Sequence, residues 1–253
     1  MHPHDSRDPS GQRNPYAQGQ QFAPGGPTVD PRAQLASGVD QFMTRVNTWM
    51  AAGVGVTGLI AYLISQSPTL VGMLVMTNLI WVALFAPLII VLVFASRVHK
   101  MKPTTAIIVF MLYAALNGVA FSTIFLAYDL GSIAVVFGIT AGMYSSLALW
   151  GYVTKRDLSA WGKFLFMGLI GLILSGLVFM FLPVAMGSTM YLIYNVIGVL
   201  LFSALTAYDT QKIKQMYLVN GGAGNLAISG ALTLYLDFIN LFLFLLRLFG
   251  GRN

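Results

Sequence analysis

Two aspartates lie where a membrane helix has least reason to hold them. Asp237 sits in the middle of Leu226–Phe249, a run made almost entirely of Leu, Phe, Ile and Ala. Asp209 sits in Ala-Tyr-Asp-Thr-Gln-Lys-Ile-Lys, residues 207–214, at the end of the apolar run before it. An ionised carboxylate at the centre of a membrane helix costs roughly 2.5–3.5 kcal/mol on insertion scales, so such a residue must face protein or water. Two carboxylates brought close in a low-dielectric site cannot both ionise cheaply; one tends to hold a proton and the pair titrates as a unit. The same oxygens suit a divalent cation such as Ca²⁺. Proton and cation compete for one charge, which is the chemistry of a pH sensor on a cation path. Asp209 and Asp237 are therefore the expected pH-sensing, cation-binding and metal-ligating residues.

The spacing supports this. Gly230, Thr233, Asp237, Asn240, Phe244 and Arg247 step by three and four, so they share one side of a helix. Back from Asp209, Leu205, Phe202, Gly198 and Asn195 share a face, with Thr206 and Ser203 beside it. Small residues allow close helix approach, and amides can hydrogen-bond across the gap. Asn240, Thr206 and Asn195 are the expected supporting polar groups; Asn117, Asn195 and Asn240 read as packing hydrogen bonds rather than ligands. The short connection Gln211–Asn225 makes the two helices neighbours. Blander readings exist. Asp209 lies three residues from Lys212 and reads equally well as an ion pair at a helix end. Asp237 has no such partner, since Arg247 is about 15 Å farther along the helix at 1.5 Å per residue.

The rest of the chain must position these groups. Of its 253 residues 57% are apolar and only 9% charged, against roughly 25% charged in soluble domains. That composition, with a mean hydropathy of +0.76, places the chain in a lipid bilayer. The pI of about 9.6 does not mark a nucleic-acid binder, because the basic residues form short groups between apolar runs. There are no glutamates and eight aspartates, so each acid within a span stands out. With no cysteine, disulfides, thiolate metal sites and thiol nucleophiles are excluded. No cofactor and no enzymatic activity are expected, beyond Ca²⁺ as a permeant or bound ion.

Residues 1–38 hold six of the ten prolines and read as a disordered tail. The long polar lead-in argues that the first span is retained rather than cleaved. Residues 39–253 read as one seven-span transmembrane domain of an all-α membrane protein. The spans are Arg45–Ile64, Leu70–Ala95, Thr104–Ala127, Ser132–Val153, Trp161–Leu182, Ser188–Tyr208 and Leu226–Phe249, each beyond the ~18 residues a crossing needs. Pro87 is expected to kink the second. Arg97, Lys100, Lys102, Lys155, Arg156, Lys163, Lys212 and Lys214 fall in alternate connections, which puts the N-terminus in the cytoplasm. Seven crossings leave Arg247 and Arg252 on the outer side, against that rule. The last segment therefore spans or re-enters, and its length favours spanning.

At Y-D-T-Q-K-I (Tyr208–Ile213) and L-Y-L-D-F-I-N-L-F-L-F-L-L-R (Leu234–Arg247) the chain resembles the Bax-inhibitor, or transmembrane Bax-inhibitor-motif, family. The resemblance covers about Val39 to Gly250. It implies a seven-transmembrane helical bundle with the C-terminal helix central, and a pH-sensitive calcium leak channel in the bacterial cell inner (cytoplasmic) membrane. It also implies that the acids at 209 and 237 are the sensor, and that a basic residue ending the second span is the gate latch. Arg97 and Lys100, one turn apart, both match that position. Other bacterial members look like regulators of a membrane-bound ATP-dependent protease, and the N-terminal tail is the feature such a protease would capture. A presenilin-type aspartyl protease is a third reading, but Leu-Tyr-Leu-Asp at 234–237 lacks both glycines of the Gly-x-Gly-Asp motif.

Overall fold

The computed structural model describes residues 30–77, 79–181, 187–222 and 225–252. Most of the expected tail and the connection at 182–186 lie outside them. The chain divides into two units, Met1–Ser37 and Gly38–Asn253. The described part of the first is helical rather than tail-like. Helix α1 (Pro31–Ser65) begins there, with the Arg32 amide donating to the Asp30 carboxylate at 2.9 Å. Asp before Pro is a helix-start signal, since Pro lacks only an N–H that the first turn leaves unpaired. Composition averaged over the tail hides it.

The other helices are α2 (Pro68–Met76), α3 (Leu79–Arg97), α4 (Pro103–Phe121), α5 (Ile124–Ala127), α6 (Leu130–Val153), α7 (Gly162–Phe181), α8 (Ser188–Asn220) and α9 (Leu226–Phe249). Among the described residues six helical stretches are long and apolar enough to cross a bilayer, rather than the expected seven. The expected second span falls on α2 and α3, with residue 78 between them outside the described residues. Pro87, expected to kink the span, lies within α3. The Thr77 amide and hydroxyl both donate back to the Met73 carbonyl, so the helical bond is kept at Thr77.

Helix α8 also departs from the sequence expectation. It runs past Tyr208 to Asn220 and stops at Gly221, whose φ of 63° is left-handed and whose amide donates to the Tyr217 carbonyl at 2.8 Å. Glycine at that position ends a helix without the steric penalty a Cβ would bring. Lys212 and Lys214 are thus on the helix, and the α8–α9 connection shrinks to residues 221–225.

Two hydrophobic clusters form the core, and α9 serves both: Leu226 to Ile239 in one, Leu241 to Leu246 in the other. Of the span-length helices α9 is the most buried and α7 the least, at 61% and 11% of their apolar windows. Close approaches need glycine. A Cβ on Gly198 of α8 would lie 2.5 Å from the Phe244 ring of α9, and one on Gly151 of α6 would strike the Ala207 carbonyl of α8. The last segment runs unbroken to the far end. There the Asp129 amide donates to the Gly251 carbonyl at 3.0 Å, and the Gly251 amide donates to Ser132 Oγ at 2.7 Å.

Candidate functional site

The opposite end of the bundle gathers the basic connections. Gln211 of α8 takes the Leu158 amide at 2.8 Å and donates to the Arg156 carbonyl at 2.8 Å. Asn225, just before α9, donates to the Val98 and Met101 carbonyls at 2.8 and 2.5 Å. These bonds bring the connections after α3 and α6 against the ends of α8 and α9.

Asp209 and Asp237 hang inward from this end at different depths. The face expected around Asp209 is buried throughout: Asn195, Gly198, Phe202, Leu205, Thr206 and Asp209. Asp209 is 8% exposed, and Lys212 Nζ lies 4.0 Å from its Oδ1 while also standing over the Tyr208 ring. The pair is i,i+3 with the lysine side chain 55% exposed, a geometry worth well under a kilocalorie per mole. Asp209 also lines a cavity of ≈ 200 Å³ between α1, α8 and α9 that reaches Ser229, Gly230 and Thr233. Asp237, one turn beyond Thr233, is 4% exposed, and its Oδ2 is buried with no hydrogen-bond partner. Both acids are buried, on helices that pack against each other at Gly198 and Phe244.

The amides do not bridge the helices. Asn195, Asn117 and Asn240 each donate to the carbonyl four residues back, at 2.7, 3.0 and 2.8 Å, and the Thr206 hydroxyl does the same at 2.8 Å. A helix always offers that carbonyl at short range, so the local bond outcompetes one that needs a partner helix in register. Asn195 Oδ1 is left buried and unpartnered. Arg97 and Lys100 are exposed at the end of α3, and the cation paired with Asp209 is Lys212.

Sequence reading passed over several groups that the fold brings in. Tyr235 is fully buried, and its hydroxyl meets Thr57 of α1 at 2.7 Å; Thr57 Oγ1 also lies 2.8 Å from the Ala114 carbonyl of α4. That contact ties three helices two residues from Asp237. Tyr144 of α6 packs edge-on against Phe238, with centroids 5.6 Å apart, and its hydroxyl lies in the field of Asp237. The only sequence signal was the polar Tyr-Ser-Ser interruption at 144–146 of an apolar run. Among the described residues no three His, Asp or Glu side chains cluster to hold a metal ion. A cation at the Asp pair would complete its shell with hydroxyl, carbonyl or water oxygens.

A family model described as "Inhibitor of apoptosis-promoting Bax1" matches residues 39–253. The chain belongs to the Bax1-inhibitor family. The match takes in every helix that carries the site, from most of α1 through α9. Among relatives, inner membrane protein YbhL of Escherichia coli is 41% identical over 233 residues, covering 90% of this chain and 98% of its own. A Caulobacter vibrioides protein is 39% identical over 230 residues, covering 86% of this chain and 91% of its own. Rickettsia prowazekii protein RP147 is 39% identical over 229 residues, covering 89% and 96%. The Bax1-inhibitor match begins at residue 39.

Proposed function

We propose that this Bax1-inhibitor family chain is a pH-sensitive calcium leak channel of the bacterial inner membrane, gated by Asp209 and Asp237. In this reading α2 and α3 together make the seventh crossing. The C-terminal helix is the central one, and the N-terminus lies in the cytoplasm with the basic end of the bundle. Ca²⁺ is the transported ion rather than a resident cofactor, and no enzymatic role is assigned. The observation that carries the reading is Asp237: buried in α9, with an unpartnered oxygen, on the helix packed against the one that holds the second buried acid. A buried carboxyl without a structural partner is costly. A site that binds and releases a cation needs one.

Protonation removes the charge that a cation would meet, so acid and Ca²⁺ oppose one another at the pair. Arg97 or Lys100 serves as latch when the end of α3 moves toward Asp209, displacing Lys212 as its partner. The protease-regulator alternative rests on the N-terminal tail, nearly all of it outside the described residues. The test is Ca²⁺ flux through the protein reconstituted in liposomes, followed across a pH series. Asp209→Asn and Asp237→Asn should each change the pH response. Flux indifferent to both substitutions removes the mechanism.

A further inference from the structure

Helix α1 meets α6 through two tyrosines. The Tyr152 hydroxyl donates to Asp40 Oδ1, and the Tyr144 hydroxyl donates to Asn47 Oδ1 at 3.0 Å. The bonds sit seven residues apart on α1 and eight apart on α6, about two turns on each, as in an antiparallel pair in register. Along both rungs runs a cavity of ≈ 910 Å³, from Asp40 and Tyr152 past Asn47 and Tyr144 to Val54 and Phe137, walled by α1 and α6 with Thr210 of α8 and Phe238 of α9 behind. Its lining is mostly apolar, Met43, Met50, Val54, Phe137 and Leu149 among it, with hydroxyls from Thr44, Thr48 and Ser145 set into it. Serine and threonine oxygens are what a hydrated cation uses, and what a lipid tail does not need.

The cleft differs along its length. At its mouth Asp40 is exposed. The neighbouring Lys214 ammonium is committed to Tyr152, donating to its carbonyl at 2.8 Å and lying 4.4 Å from its ring centroid. Midway along it stand Tyr144 and, behind, Phe238, the residue after Asp237 on α9; Asp237 itself lies beyond the lining. We propose that the α1–α6 cleft is the entry by which a hydrated cation passes from the basic end of the bundle to Asp237, with Asp40 as the acid that draws it in. The Tyr152–Asp40 bond closes the mouth, and the Tyr144–Asn47 bond is the constriction midway along the cleft. This rests on the cation-leak reading and adds to it a third acid and a route.

The chain has no cysteine, so single cysteines report water access with no background. In membrane vesicles of either orientation, Thr48→Cys and Ser145→Cys should react with a membrane-impermeant cationic methanethiosulfonate added from the face where α1 begins. Ile173→Cys, on the exposed side of α7, should not. Asp40→Asn should slow the cationic reagent about twofold at Thr48→Cys, as expected for one unit charge about 12 Å away in water, and leave a neutral analogue unchanged. Ala148→Cys, which lines the same cleft, replaces either position if that variant fails to reach the membrane. Cysteines that stay unlabelled, or cationic and neutral reagents slowed alike, overturn the entry and the role of Asp40. Labelling needs no ion flux: an inert cleft beside an Asp237-dependent Ca²⁺ flux removes the entry alone. A flux indifferent to Asp237→Asn removes the leak reading and this route with it.

Discussion

Asp237→Asn separates a functional acid from structural polar glue, because the two make opposite predictions about stability. The carboxylate leaves Oδ2 buried without a partner, whereas Asn117, Asn195 and Asn240 each donate to the carbonyl four residues back at 2.7–3.0 Å. An asparagine at 237 has nearly the same shape and would find the Thr233 carbonyl in that position. The substitution removes a buried charge-bearing group and gains one net hydrogen bond, worth about 0.5–1.5 kcal/mol. At about 2–4 °C per kcal/mol for a chain of this size, Tm should rise by roughly 1–6 °C. Thermal unfolding in detergent, followed by tryptophan fluorescence and by gel filtration of heated samples, reads the shift. Ca²⁺ flux from liposomes holding the same variant should lose its wild-type pH response. A Tm that falls instead would mean that the carboxylate makes a structural bond, and the reasoning that assigns Asp237 to a cation path would fail.

Gly198→Ala puts a Cβ 2.5 Å from the Phe244 ring, and should cost about 1–3 kcal/mol by overpacking; Phe244→Leu in the same chain should restore most of the lost Tm. Gly151→Ala strikes the Ala207 backbone, which no rotamer can move. It should destabilise at least as much and shift the flux response of Asp209, two residues on. Thr57→Val orphans the Tyr235 hydroxyl in a dry core, a loss of about 1–3 kcal/mol. Adding Tyr235→Phe should recover part of it, so the double variant measured by thermal unfolding should be less destabilised than the sum of the singles. Of Arg97→Gln and Lys100→Gln, the one that removes the latch should raise Ca²⁺ leak at neutral pH, and two variants leaking like wild type would leave α3 without a gating role.

The membrane class, the acids worth testing and the helices that carry them were legible in the chain itself. Composition sets the solvent, and a charged residue in an apolar run of twenty needs no partner helix to be conspicuous. The run Leu226–Phe249 became α9 with the same bounds, and the face drawn back from Asp209 is buried as its period requires. Two local signals were missed: Asp30-Pro31, blurred by averaging over a proline-rich stretch, and the Gly221 stop that carries α8 twelve residues past Tyr208.

Contacts between helices were another matter. Nothing in the sequence links Asp40 to Tyr152 across 112 positions, or Tyr235 to Thr57 across 178. Nor does it say that the amides would bend back on their own helices. In water a buried face announces itself by being apolar. In lipid the outside of the bundle is as apolar as the core, so the Leu and Phe residues of exposed α7 and buried α9 read alike along the chain. Hydrophobicity chose the bilayer; side-chain shape, glycine contacts and the few cross-helix hydroxyl bonds decided which faces meet within it.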